Sequence, residues 1–322
     1  MQNETTQSTK QAQRHDQNHT VSADLIAVVI AVTAGEPRVL AIEHGQALPS
    51  GPFELGHRSL QSGLRDWVEQ QTRHPLGYIE QLYTFADRDR AGHEAERVIS
   101  ISYLALTREE KDKPTDRATW RNWYDYFPWE DHRDGAPAAL ADVLVPRLNA
   151  WAQTVNNHPM QRDRQQRMAI AFGLVGHRWD EELVLQRYEL LYEAALVEEA
   201  GRGHGPATPL SAFGRAMQAD HRRILATGIA RLRAKIKYRP VVFELMAPTF
   251  TLLQLQRSVE ALAGRLVHKQ NFRRLVEQQE LVEETGTSTT ETGGRPAKLF
   301  RFRHDVLAER AVAGMKLPLS RA

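Results

Sequence analysis

The 322-residue chain is 41% hydrophobic and 25% charged, enough for two domains with sizeable cores and ordinary for a globular protein. It has no cysteine, which excludes disulfides and thiolate metal sites and fits a reducing, cytoplasmic setting. The net charge of +2 hides a split: residues 221–322 hold 19 Lys and Arg against 9 Asp and Glu, so a basic module follows an acidic one, and the basic part suits either a polyanion or a solvated surface.

In chain order, residues 1–22 open with MQNETTQSTKQAQRHDQNHT. This stretch lacks the apolar core of a secretory signal and reads as a disordered tail. No apolar run nears the roughly 20 residues needed to cross a bilayer, so no membrane role is expected.

Residues 23–135 alternate strand signals with one helix. Leu25–Thr33, Arg38–His44, Tyr78–Phe85 and Arg97–Leu106 are apolar and β-branched. Between the pairs, Leu60, Leu64, Trp67 and Val68 fall at helical spacing and predict a helix over Ser59–Gln71 with Ser59 as its N-cap. The pattern implies an α/β arrangement with a mixed sheet. Trp120, Trp123, Tyr124, Phe127 and Trp129 form an aromatic cluster. Core or domain-interface packing accounts for it; adenine stacking is the alternative.

Residues 136–206 read as a helical extension, with helices over Pro137–Gln153, Gln161–Leu174 and Asp180–Glu199. GRGHGP marks a boundary, and residues 207–238 carry a linker helix over Ala219–Tyr238.

Residues 239–310 have the order of a winged helix-turn-helix, followed by a tail over 311–322. Thr251 with Gln254 matches a capping box. Leu252, Leu255, Val259 and Leu262 form an apolar stripe, and Gly264 ends the helix. A second helix is expected over Leu266–Gln279. Phe272, Leu275 and Val276 share one side, and Lys269, Gln270, Arg273 and Arg274 the other, with Asn271 between. His268 falls near the apolar side, as a packed or capping histidine. The strand LVEETG, the loop TSTTETGG and RPAKLFRFR then make a hairpin. Arg and Lys pair with guanine, Gln with adenine, and cations neutralise phosphates, so the second helix suits a major groove. Arg295 and Lys298 beside Gly293 and Gly294 suit phosphate or the minor groove. The alternatives are a solvated face or a protein-contact winged helix.

The stretch GPFELGHRSLQSGLRDWVEQQT, Gly51–Thr72, resembles a Nudix box, G-x5-E-x7-R-E-U-x-E-E-x-G-U, with U a bulky apolar residue. In that family the helical glutamates fall at i, i+3 and i+4, hold Mg²⁺ and activate water at phosphorus. Here Gly51 and Arg65 fit; His57 takes the first glutamate's place. Asp66 stands for the next, Glu69 is kept, Gln70 replaces a carboxylate, and Thr72 replaces the last glycine. Imidazole is a poor Mg²⁺ ligand. The expected result is a nucleotide pocket in which hydrolysis is absent or feeble, with no catalytic residues and no metal.

The flanks ALPSGPFELG and GYIEQLYTFADRDR resemble the ADP-ribose-specific branch. The segments running from DHRRILATGIARLRAKIKYRPVVFELMAPTFTLLQLQRSVEAL to GGRPAKLFRF resemble the winged helix of the Nudix-related transcriptional regulators of NAD metabolism. That resemblance covers roughly residues 23–135 and 215–305. It implies a Nudix-like α/β/α sandwich with a mixed sheet, then a helical segment and a C-terminal winged helix-turn-helix. It also implies a homodimeric repressor, a two-fold symmetric DNA operator, and ADP-ribose or a related nucleotide as effector, with no required cofactor. By carry-over the DNA-contacting residues are Lys269, Asn271, Arg273, Arg274, Gly294, Arg295 and Lys298.

Arg58, Arg65, Glu69 and Arg97 are the candidate ligand contacts. Arg65 and Glu69 could instead pair and brace the box, and Arg58 and Arg97 could be surface charges. Asp87, Arg88 and Arg90 have the same two readings. The competing function is a Mg²⁺-dependent hydrolase of ADP-ribose-like nucleoside diphosphates with an accessory winged helix.

Overall fold

A computed structural model describes residues 21–86, 97–109, 118–201, 210–290 and 296–303. The central strand is β1, Val21–Thr33. Around it lie β2 (Glu36–Ile42), β3 (Ser50–Pro52), β4 (Tyr78–Phe85), β5 (Arg97–Leu106) and β6 (Ala118–Asn122). The order is β4-β5-β1-β2-β6, with β3 also on β1. The β1–β5 pair is parallel and the others are antiparallel, so the sheet is mixed as expected. Val21 and Ser22 already pair with Arg97 and Val98, so the strand begins inside the stretch expected to be a tail.

The run LIAVVI is continuous because both faces of β1 are covered. Leu25, Ala27 and Val29 pack with Leu64 and Val68 of α1 (Leu60–Thr72). Ile26, Val28 and Ile30 pack with Ile224, Leu225, Ile229 and Leu232 of a second helix. Each such side chain contributes roughly 1.5–3 kcal/mol when fully buried.

That second helix, His221–Tyr238, is not a linker. It is the sheet's other covering layer, and at Gly228 it lies so close that a Cβ would stand 2.8 Å from Val28 Cγ1. Between sheet and covering helix the chain forms α2 (Val145–Gln153), α3 (His158–Ala171) and α4 (Val184–Glu193), making the covering helix α5. The first of these helices is entered through a wide π turn over Leu140–Leu144. Pro146 follows and has no N–H to donate to the preceding turn, a common cause of such a distortion. The helix expected over Asp180–Glu199 is shorter; it ends where Ala195 takes φ +54°.

The aromatic cluster divides between the two faces. Trp123, Tyr124, Phe127 and Trp129 are buried on the α5 side. Trp120 sits half-buried on β6 on the α1 side, edge-on to His74 at 5.6 Å.

The C-terminal module comprises α6 (Leu252–Ala263), α7 (Lys269–Gln278), β7 (Val282–Thr289) and β8 (Ala297–Phe302). Thr251 and Gln254 close the expected capping box, and Gly264 ends α6 at φ +69°. Phe300 bridges to Phe250 through two backbone hydrogen bonds of 2.9 and 2.8 Å, which ties the wing to the helices. β7 is longer than expected, because TST continues the strand opposite Lys298 and Ala297. The module shares the core of the sheet: Leu252, Leu255, Leu262 and Val276 belong to the same buried cluster as Val28.

His221 makes this packing sensitive to acid. Its Nδ1 accepts the Leu48 amide N–H at 2.8 Å, and burial pushes its imidazole down to about 4. Unfolded histidine titrates near 6.5, so the unfolded chain binds the extra proton first as pH falls. The stabilisation is complete above pH about 6.5 and is lost towards pH about 4, roughly 2 kcal/mol of it by pH 5. Denaturant unfolding at pH 7 and pH 5 checks this, and His221→Gln should flatten the difference.

Candidate nucleotide pocket and nucleic-acid interface

The box folds as a short strand, a loop and a capped helix. Ser59 caps α1: its hydroxyl accepts the Ser62 amide at 3.1 Å, and Ser62 reciprocates at the Ser59 amide. Gly51 on β3 lies beneath the Trp67 ring, where a Cβ would come within 2.4 Å of it. Trp67 therefore covers β3, with its indole N–H donating to the Pro52 carbonyl at 2.9 Å, rather than joining Leu64 and Val68 in the core.

His57, in the first glutamate's place, lies against Gly63, whose absent Cβ leaves it room. Its Nδ1 accepts the Glu54 amide at 3.0 Å. Phe53 stacks on His57 at 5.8 Å, and Trp67 meets it edge-on at 6.3 Å. Three aromatic rings thus meet at the box.

Asp66, Glu69 and Gln70 are exposed on α1. Among the described residues, no three His, Asp or Glu side chains converge as a metal site. The donor set does not fit Mg²⁺: one imidazole nitrogen is already engaged, one position is a neutral amide, and two acids remain. Arg65 does not pair with Glu69. Its guanidinium donates to the carbonyls of Leu76 and Gly77, the latter at 2.9 Å, bracing the loop after the helix. Thr72, in place of the final glycine, is buried, and its hydroxyl donates to the Val68 carbonyl at 2.6 Å. Arg58 is exposed. Arg97 opens β5. Asp87, Arg88 and Arg90 lie outside the described residues.

The second candidate site is α7. Lys269, Gln270, Asn271, Arg273 and Arg274 are all exposed, and none is in an ion pair among the described residues. The helix starts at Lys269 rather than Leu266, which leaves His268 exposed at the N-cap with no capping bond from its side chain. On the inner face Val276 is buried and Phe272 half-buried, but Leu275 is 52% exposed. On the wing, Lys298 contacts Glu284 at 2.8 Å and Arg301 contacts Glu283 at 2.6 Å. Such exposed pairs contribute roughly 0–1 kcal/mol, so a phosphate can displace them. Gly293, Gly294 and Arg295 lie outside the described residues.

Between the two sites is a buried network absent from the sequence expectations. Arg187 grips both oxygens of Glu130, at 2.5 and 2.9 Å, and Arg233 meets Oε2 at 2.5 Å. All three side chains are buried. Burial alone would raise the Glu130 carboxyl; Arg187 and Arg233 together hold it below the usual carboxylate range. The network reaches the end of α6. Arg233 Nε donates to the Leu262 carbonyl at 2.9 Å, and the Tyr124 hydroxyl donates to Ala261 at 2.7 Å. The His132 amide donates to Gly264 at 2.7 Å. A guanidinium at a helix C-terminus complements the dipole. At Gly264 a Cβ would fall 2.3 Å from the Glu130 carbonyl oxygen. One signal was present in the sequence: Arg222, Leu225, Ile229, Leu232 and Arg233 recur at helical spacing, which places cations on a core-facing stripe.

Residues 242–302 match the NrtR DNA-binding winged helix domain. A stretch of 83 residues is 41% identical to the ADPR responsive transcriptional repressor NtrR of Acinetobacter baylyi, covering 26% of this chain and 33% of that protein. The match thus spans about a third of the relative's length. In fold the chain is similar to Shewanella oneidensis NrtR solved with a 27mer DNA, at a TM-score of 0.53 and 20% identity over 89% of this chain and 95% of that one. It is also similar to a MutT/nudix family protein from Enterococcus faecalis, at 0.50 and 16% identity over 88% and 87%. The Nudix-like sandwich with a C-terminal winged helix is borne out, as is the resemblance to that group of regulators.

Proposed function

We propose that this chain, a Nudix-like sheet joined to a winged helix of the NrtR type, is a DNA-binding transcriptional repressor that senses ADP-ribose or a related nucleotide and leaves it intact. The observation that carries the reading is α7: five exposed polar side chains on one helix of a winged helix, none held by an ion pair among the described residues. Such groups face bases and phosphates without first breaking a contact. The relative from Acinetobacter baylyi is named an ADPR responsive transcriptional repressor, which supports the reading.

The protein acts in the cytoplasm as a homodimer on a two-fold symmetric operator, which places two copies of α7 in successive major grooves. Arg58, Arg65, Glu69 and Arg97 are the nearest candidates for the nucleotide. Arg65 contributes by holding the loop at Leu76 and Gly77. Hydrolysis is absent or feeble, because the box keeps Asp66 and Glu69 but has His57 and Gln70 where further carboxylates would hold a divalent cation. A sensor gains from this, since an effector that persists shifts an equilibrium between two states and one that is cleaved on contact does not.

The test is calorimetry with ADP-ribose in the presence of Mg²⁺, followed by chromatography of the nucleotide. One equivalent bound and recovered intact is expected. Turnover abolished by Glu69→Gln would establish the hydrolase reading instead.

A further inference from the structure

A cavity of about 390 Å³ lies behind the recognition helix, between the end of α5 and the pair α6–α7. Its wall is apolar, with Val242, Leu255, Val259, Phe272 and Val276 among the lining residues. Its mouth is basic. Lys237, Arg239 and Arg265 line it, and Glu181 is the one acid among the described lining residues. Two of these cations are engaged: Glu181 meets Lys237 at 2.9 Å and Arg265 at 3.2 Å, and Glu182 meets Lys237 at 2.7 Å. Arg239 is exposed and in no ion pair among the described residues. The lining also exposes apolar surface: Tyr238 is 77% exposed and Leu275 52%.

An apolar cavity of this size with a few convergent charges at its mouth is built like a small-molecule site. Exposed apolar residues clustered around an opening point the same way. The geometry points to a binding site for one amphipathic anion, a ring system or short acyl chain bearing a carboxylate or sulfonate. The apolar part fills the space beneath Phe272 and Val276, and the anionic group meets Arg239 at the rim. The lining shares no residue with the box, and its largely apolar wall suits an apolar body better than ribose, whose hydroxyls are costly to bury unpaired. This site is therefore distinct from the effector pocket proposed above and does not depend on that reading. One of its walls is the inner face of α7, so an occupant touches the recognition helix directly.

The test titrates the full-length protein with 1-anilinonaphthalene-8-sulfonate and follows fluorescence. One saturable site is expected. Val259→Trp, which fills the cavity, should abolish it. Arg239→Glu, at an exposed position that leaves folding intact, should weaken it about fivefold or more, the loss of one charge contact. The uncharged analogue N-phenyl-1-naphthylamine should bind more weakly by a similar factor. A melting curve shows whether Val259→Trp still folds; if it does not, Arg239→Glu and the uncharged analogue decide. Non-saturating fluorescence, binding indifferent to Arg239→Glu, or displacement of the probe by ADP-ribose would each overturn the assignment.

Discussion

Replacing Arg273 and Arg274 together by alanine is expected to weaken binding to the protein's own upstream DNA about a hundredfold or more, since each base or phosphate contact from such a residue contributes roughly 1–3 kcal/mol. Both side chains are exposed on α7, so the change removes the proposed DNA contacts without disturbing the core. Filter binding or fluorescence anisotropy across a salt series reads two quantities. If both arginines touch phosphate, the slope of log affinity against log salt becomes shallower by about 2 per protomer. If they read bases, discrimination between operator and random DNA falls instead. Lys298→Ala should have a smaller effect, because that ammonium already contacts Glu284. Unchanged affinity of the double variant at physiological salt would remove α7 from the interface.

Glu130→Gln is expected to cost about 3–5 kcal/mol of stability, the usual consequence of removing one member of a buried ion network and leaving its partners charged. Arg187 and Arg233 would both lose their carboxylate while remaining buried. Denaturant unfolding measures the loss. Arg167→Ala is the control: its contacts to Asp163 and Glu193 are exposed and contribute at most about 1 kcal/mol. A difference between Glu130→Gln and wild type as small as the control's would show that solvent reaches the network. The position has a second consequence, since Arg233 also holds the Leu262 carbonyl at the end of α6. The network joins the segment after β6, α4 of the helical extension, α5 and the first helix of the winged domain.

What the sequence shows of this molecule follows the range of the interactions. Ser59, the Thr251–Gln254 box and Gly264 mark their helix ends because each cap is closed within four residues. The long strands declare themselves by both-faced burial, as in the run LIAVVI. The short strands do not: β3 has three residues, and β6, ATWRN, lacks alternation, so both exist only through their neighbours β1 and β2. The role of α5 was hidden for a similar reason. An apolar stripe states that a face is buried and not what buries it, and here the covering surface is a strand nearly 200 residues earlier in the chain. Glu130 and its arginines are 57 and 103 residues apart, beyond any local pattern.

At the candidate sites the strand–loop–helix frame of the box was legible, but the aromatic packing of Phe53, His57 and Trp67 was not. Spacing on a helix places residues on a face without fixing which rings then meet. The partition of α7 was legible in outline. Leu275 departs from it because the apolar wall opposite encloses a cavity instead of meeting the helix in full.

The central claim is that an intact nucleotide bound at the sheet changes how tightly α7 holds DNA. It is tested most directly by titrating the purified protein onto its own upstream DNA with and without ADP-ribose, in the presence of Mg²⁺. The account predicts tight binding to a single two-fold symmetric segment, weakened when ADP-ribose is added, with the nucleotide unchanged afterwards. DNA affinity identical with and without the nucleotide, or an effect that fades as ADP-ribose is consumed, would contradict it.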